Sequence, residues 1–431
     1  MRGLAGLAAL ALLGGACATD AAASDSITLL HGITGPDEQA ALQAAIDAFE
    51  ETTGNTVQVE VSPDFDTVII TRVTGGNPPD VALYPQPGVL GRLVERGDVV
   101  SLQEAGVDVQ DLEGSLIDGA LDPATFQDEV YGTVVKVNVK SLLWYAADPL
   151  EEAGYDVPET WEDLREVTDG LAQDYADQRN AAPWCIGMES GGDTGWVATD
   201  WIENLVIRMH GPEVYDAWVA GELPFSSPEI RAAFEEAEAV WFGDGTVVGG
   251  TTGILLTPFL EAVDPMFDGP RCYFHIQAGF IAGLFPEDAE IGSDVAMTYL
   301  PAMADADERP VVFGGDTAAI HTENPVAGEF VQFLASPEGQ EAWLAEEGAG
   351  AVSVREDIDT GIYPSEELVQ QAEILNEAEV SRFDASDEMP GEVGVGAFWR
   401  EVVAWLAGAQ DLDRTLERID AAWPDDQGGA Q

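Results

Sequence analysis

Apolar residues along this chain alternate between two periods. Short runs rich in Val, Ile and Leu give way to longer stretches in which apolar residues return every three or four positions, and that alternation predicts an α/β protein. SITLL at Ser26–Leu30 predicts a strand. Ala40, Ala41, Ala44, Ala45, Ala48 and Phe49 follow at helical spacing, from a start near Pro36-Asp37 to a stop at Gly54-Asn55. TVQVEVS is a second strand, so the order strand, helix, strand opens a parallel-sheet unit. Phe65 to Val73 predicts another helix, and GGNPPDVALYPQPG a turn, a strand and a second turn. Asp80, Tyr84 and Gln86 surround the end of that strand, where open parallel sheets place their ligands.

The longest extended run is YGTVVKVNVKSLLWY, Tyr131 to Tyr145. Positions 136, 138 and 140 share one face of a strand, so Lys136, Asn138 and Lys140 form a polar stripe on an otherwise apolar element. These are the only two lysines, the other fifteen of the 17 basic residues being arginine. Two readings stand side by side: survivors of a bias against lysine, or a row of donors aimed at a partner. After Tyr145 the pattern turns helical. PETWEDLREVTDGLAQDYA opens with Thr160 and, three residues on, Asp163, the arrangement of a capping box. PWCIGMESGGDTGW predicts a buried strand leading into a glycine-rich loop, with helices over Thr199–His210, Glu213–Val219 and Ile230–Phe242. GPRCYFHIQAGFIAGLF and VAMTYLPA carry strands, and PVVFGGDTAAI predicts two short strands joined through Gly314-Gly315-Asp316. A helical hairpin, its second arm opened by Ser336-Pro337, precedes a helix over Glu366–Ala378, the loop SRFDASDEMPGEVGVGAFW and a last helix pair ending near Trp423.

Composition adds scale and sign. A chain of 431 residues with 46% hydrophobic residues can build two or three folded units. Seventeen basic against 80 acidic residues leave a net charge of −63, which repels phosphate backbones and anionic headgroups and so excludes nucleic acid as a partner. The acids are spread over predicted helices, as a solvating surface suited to saline surroundings would be.

Met1-Arg2 followed by an apolar core from Leu4 to Leu13 is too short to span a bilayer permanently, and Gly14-Gly15-Ala16-Cys17 follows it. This predicts a lipoprotein signal and tether over residues 1–24 with Cys17 as the acylated residue, plain secretion being the alternative because Gly14 stands where such signals carry leucine. Of three cysteines, Cys185 and Cys272 then remain to pair at an oxidising face, with buried free thiols as the alternative.

No metal spacing, nucleophile elbow or phosphate loop occurs, so neither cofactor nor metal is expected. Aromatic residues instead gather beside Asp, Gln and Gly in predicted turns: Tyr84 with Gln86, Trp196 with Asp200, Phe280 with Gln277, and Phe398 and Trp399 after Asp384 and Asp387. Sugars lay C–H faces on aromatic rings and need carboxylate and amide partners for their hydroxyls, so this is the composition of a carbohydrate site.

Taken in order, GGNPPDVALYPQPG, YGTVVKVNVKSLLWY, PWCIGMESGGDTGWVATDWIENLVIR, RCYFHIQAGF and FDASDEMPGEVGVGAFW resemble the extracellular solute-binding proteins of bacterial sugar ABC transporters, the maltodextrin-binding type, and within them the alpha-glucoside-binding group. The resemblance implies two α/β lobes joined by crossing strands, the first over residues 25–138 and 313–350 and the second over 139–312 and 351–427. It implies a monomer that holds an α-linked glucoside in the cleft, closes on it and presents it to membrane permease subunits, without catalysis. Tyr84 and Trp399 match ring-stacking places and Lys136 a polar strand residue reaching the sugar; Gln86, Glu189, Trp196, Asp200, Gln277, Gly315, Asp316, Asp384 and Asp387 are further ligand-binding candidates, and Lys140 a structural partner for acids of the second lobe. The chain departs from the pattern at His31-Gly32-Ile33, which lacks an aromatic residue, and at Gly279, which replaces a larger polar one. A glycan hydrolase using Asp384 and Asp387, and a receptor for a polyamine, are the alternatives.

Overall fold

The computed structural model describes residues 26–424 apart from 179, 268, 287, 305 and 307; Cys17 and the leader lie outside the described residues. Strand β1 (Ser26–His31) lies parallel to both β2 (Thr56–Val61) and β3 (Val81–Tyr84). The helices Pro36–Thr53 and Phe65–Thr74 supply the crossovers that parallel strands require. The first starts with proline at a position whose N–H has no helical partner, buries Ala41, Leu42, Ala45, Ile46 and Phe49 along one face, and stops at Gly54 with φ +76°, a conformation open to glycine.

The run from Tyr131 to Tyr145 divides into two strands, β4 (Gly132–Val139) and β5 (Leu142–Tyr145), in different sheets. Lys140 and Ser141 form the step between them. Ser141 ties both sheets together: its Oγ accepts from Val312 N at 2.8 Å and donates to Asn204 Oδ1 at 2.7 Å, and its carbonyl accepts from Leu300 N at 2.9 Å. In the smaller sheet β5 is central, antiparallel to β6 (Phe274–Ile276) and to β7 (Ala296–Tyr299). The chain returns to the larger sheet through β8 (Pro310–Ile320), and β9 (Val380–Phe383) closes its edge.

β8 is one strand of 11 residues, not the predicted two. Along one side it pairs antiparallel with β4; along the other it pairs with β9 at Pro310–Phe313 and with β3 at Thr317–Ile320. The sequence break at Gly314-Gly315-Asp316 survives as a register shift between Asp316 and Thr317. Two further expectations are corrected. The segment after Pro183 makes only isolated bridges, Trp184 with Val247 and Phe274 and Glu189 with Pro258, so no continuous strand forms. The predicted loop over Ser381–Trp399 is instead the end of β9, a short helix Ala385–Glu388, a π-helical turn Glu392–Phe398 and the start of the helix Trp399–Leu406.

The capping box at Thr160 forms, with Asp163 N donating to Thr160 Oγ1 and Thr160 N to Asp163 Oδ2 at 3.1 Å each. Cys185 and Cys272 are joined by a disulfide with Cα atoms 5.6 Å apart. No helix among the described residues is long and apolar enough to cross a membrane. One core lies beneath the larger sheet and the helix Pro36–Thr53, and a second, rich in Trp184, Trp201, Trp218, Trp241 and Trp405, fills the body around the helix Trp196–His210. The cleft opens over the second half of β4 and the middle of β8, at Lys136, Asn138 and Gly314 to Asp316.

Candidate functional site

The alternation of β4 points Lys136 and Asn138 into the cleft, and Lys140 follows at the step. A cavity of about 250 Å³ is lined by these three with Gly315, Asp316, Asp387, Trp196 and Phe280. A neighbouring cavity of about 400 Å³ shares Lys140, Asp387, Trp196 and Gln86 and adds Trp399, Asp66 and Asp193. Trp196 and Trp399 therefore border a common space, lined also by Gln86, Lys140 and Asp387.

Each lysine is held by carboxylates. Lys136 Nζ lies 3.1 Å from Asp316 Oδ2 and 3.2 Å from Glu38 Oε1. Burial alone would lower its ammonium, but Asp316 and Glu38 outweigh burial and hold it above its ordinary range. Lys140 Nζ donates to Asp200 Oδ1 at 3.0 Å and to Asp384 Oδ2, and stands 3.8 Å from Asp387 Oδ2 and 5.7 Å from the Trp196 ring centre. Here too burial lowers and the surrounding acids raise, leaving Lys140 well above the usual lysine range.

The acids around Lys140 divide their roles by environment. Burial alone would raise Asp384, but Lys140 outweighs it and the carboxyl is held low. Its Oδ1 also accepts from Asp387 N and Ser386 Oγ, both at 2.8 Å, so it caps the helix Ala385–Glu388. Burial, with the Asp384 charge adding to it, pushes Asp200, Glu203 and Asp387 well up. Glu203 accepts from Ala385 N and Ser386 N at 3.1 Å each, fixing the same helix start from the other side. Asp387, alone of these acids, lines the cleft cavities, where its carboxyl is placed to meet a hydroxyl of a solute.

The predicted residues sort into three positions. Gln86, Lys136, Trp196, Gly315, Asp316, Asp387 and Trp399 line the cleft. Asp200 and Asp384 lie beneath it and act through Lys140. Tyr84, Glu189 and Gln277 line none of these cavities. Tyr84 is 0% exposed, edge-on to Phe65, with its hydroxyl 2.8 Å from His321 Nε2; it cannot stack a sugar ring, because β3 turns it into the core. Glu189 Oε1 accepts from Gly191 N at 3.0 Å and so shapes the loop whose Ser190, Gly192 and Asp193 do line the cleft. Gln277 Oε1 accepts from Ala278 N at 2.8 Å inside the protein. Asp66 and Phe280 are lining residues absent from the candidates; Phe280 was legible as an aromatic beside Gln277, whereas nothing near Asp66 marked it in so acidic a chain.

Residues 34–341 match the sequence profile of the bacterial extracellular solute-binding proteins, well over half of the chain. The chain belongs to that family. Over 92% of this chain and 92% of the relative, it is 35% identical to the osmoprotective compounds-binding protein GgtB of Synechocystis. Over 92% of this chain and 87% of the relative, it is 34% identical to the alpha-glucosides-binding periplasmic protein AglE of Rhizobium meliloti. Among solved structures, the solute receptor AcbH superposes with a TM-score of 0.72 at 15% identity over 93% of this chain and 98% of that one. Maltose-bound MalE3 of T. maritima gives 0.63 at 19% identity over 92% and 98%. As a solute-binding protein the chain has the two-lobed α/β fold expected of it, and its family members bind rather than transform their solutes.

Proposed function

We propose that this solute-binding protein captures an α-linked glucoside of the maltose, trehalose or sucrose class and delivers it to the permease of an ABC importer. The observation that carries this reading is the cleft itself, where Trp196 and Trp399 line one cavity with Asp387, Gln86 and Lys140. Relatives named for alpha-glucosides and for osmoprotective compounds support it. The lobes would divide at residues 25–138 with 313–350 and 139–312 with 351–427, closing about the Lys140-Ser141 step, because a solute bonded to both sides favours the closed arrangement. Export and anchoring through Cys17, and a monomeric state, belong to the same proposal.

A hydrolase built on Asp384 and Asp387 is disfavoured, since Asp384 is fully buried and already engaged by Lys140, Ser386 and Asp387 N. Asp64, Asp66 and Asp193 converge on the first cavity, which is the specific feature favouring a cationic solute such as a polyamine. A thermal-shift screen over glucosides and polyamines decides between them. A solute at a hundred times its dissociation constant stabilises by about 2.7 kcal/mol. The expected responders are disaccharides; a response to polyamines alone, or release of product from any glucoside at a catalytic rate, overturns the reading. Trp196→Ala is expected to weaken the responding sugar at least about tenfold in calorimetry with a smaller loss of stability, because the half-buried ring contributes more to the cleft than to the core.

A further inference from the structure

Ser386 lines neither cleft cavity and is 1% exposed, yet three residues that do line the larger one meet at its hydroxyl. Trp399 Nε1 donates to Ser386 Oγ at 3.2 Å, the one hydrogen bond of that indole among the described residues. Ser386 Oγ donates in turn to Asp384 Oδ1 at 2.8 Å, and Asp384 Oδ2 accepts from Lys140 Nζ. Thr199 Oγ1 stands 3.1 Å from the same serine oxygen and donates to the Trp196 carbonyl at 2.9 Å. Trp399 is thus reached directly, Lys140 through Asp384 and Trp196 through Thr199.

Donor counting gives this chain its direction. An indole N–H only donates and a carboxylate only accepts, so a hydroxyl, which does both, is the group that can join them. Lys140 keeps Asp384 ionised, and a hydroxyl donating to a carboxylate becomes a better acceptor for the next donor. Both backbones are fixed separately. Ser386 N donates to Glu203 Oε1 at 3.1 Å. A Cβ on Gly195, whose φ is +131°, would stand 2.7 Å from Trp399 O and 2.8 Å from its Cα, so the turn before the helix Trp196–His210 presses on the Trp399 backbone. That contact leaves the indole its side-chain rotations, and the bond to Ser386 selects among them.

We infer that Ser386 is a positioning residue of the solute site, its hydroxyl setting the angle of the Trp399 indole against the cavity and tying it to the Lys140–Asp384 pair. It touches no solute and acts through Trp399. The inference rests on the cleft as the solute site, and not on which solute the cleft takes.

A double-mutant cycle on the full chain tests it by calorimetry, with whichever of trehalose, maltose, sucrose or spermidine the wild type binds. Trp399→Phe keeps an aromatic ring and removes the N–H, whereas Ser386→Ala removes its acceptor. Each is expected to weaken affinity about fivefold, and the double variant no more than about twofold beyond the weaker-binding single, because the second change has no bond left to break. Independent effects would multiply to about twenty-five-fold. Ser386→Cys, close in shape but a weak hydrogen-bonding group, is expected to fall between wild type and Ser386→Ala, and it takes the place of Ser386→Ala in the cycle should that variant fail to fold. Multiplying losses, or wild-type affinity in a folded Ser386 variant, overturn the positioning role while leaving the sugar reading intact. Binding of spermidine alone removes the sugar reading, and the cycle then decides the role of Ser386 on that solute. A wild type that binds none of the four overturns both.

Discussion

Asp66 shows what it means to line this cleft with acids. Burial is the main force on it, Asp193 and Asp64 add their repulsion, and together they push its carboxyl up to about 6 from an ordinary 3.8. Its Oδ1 is buried without a hydrogen-bond partner among the described residues. The sign follows from proton counting. Between these two values the folded protein holds a proton that the unfolded chain has released, so stability from this group is greatest below pH 3.8, falls as pH rises through 6 and stays reduced above it. Asp66→Asn is therefore expected to stabilise by about 2 kcal/mol near neutral pH and to change nothing below about pH 4. Urea denaturation at the two pH values checks this, and an equal gain at both would show that titration is not the cause. Lys140 behaves differently, because its acids are partners: Asp384 is held low, and the pair carries compensating charge into a buried place.

The crossing of β4 and β8 governs the site more than any helix does. Lys136 pairs across the ladder with Asp316 in register as well as by side chain, and Gly315 lies next to them opposite Val137. A Cβ at Gly315 would come within 1.9 Å of the Lys136 carbonyl oxygen, which no backbone can yield without parting the strands. Gly315→Ala is expected to cost at least about 2 kcal/mol of stability and to weaken solute binding, since it shifts Lys136 and Asp316 together. Denaturation midpoints and calorimetry on the same variant measure both effects. Wild-type values in each would mean that the ladder gives way more easily than strand pairing allows.

Across the whole molecule the net charge of −63 acts as a single self-repelling field. Neither lysine relieves it at the surface, because both are buried in ion pairs beneath or beside the cleft. Salt shortens the reach of this repulsion from about 30 Å at 0.01 M to about 3 Å at 1 M. The melting temperature is accordingly expected to rise steadily from low to molar NaCl, and a flat or falling curve would remove the solvation reading of the acidity.

Much of this was written in periodicity. The β1–helix–β2 unit, the capping box at Thr160 and the placing of Lys136 and Asn138 on one face of β4 follow from local spacing, because a strand repeats every two residues and a helix every 3.6, whereas Lys140 lies past the end of that strand. Family membership was carried by five motifs in order. Local spacing could not say that the Tyr131–Tyr145 run breaks at Lys140-Ser141 to join two sheets, since every residue there suits an extended backbone. Nor could it sort the aromatics: Tyr84 and Trp399 sit in similar motifs, yet β3 turns one into the core while the helix after the π turn leaves the other at the cleft. With 80 acids in the chain, which of them meet a lysine is a matter of long-range packing alone. Asp200 and Asp384 are 184 positions apart and reach one Nζ only because the Trp196–His210 helix packs beside the end of β9. Gln371 packs its amide against Gly279, nearly a hundred positions away, a contact that no local pattern marks. Periodicity is a property of neighbours along the chain, whereas a binding site is a property of neighbours in space.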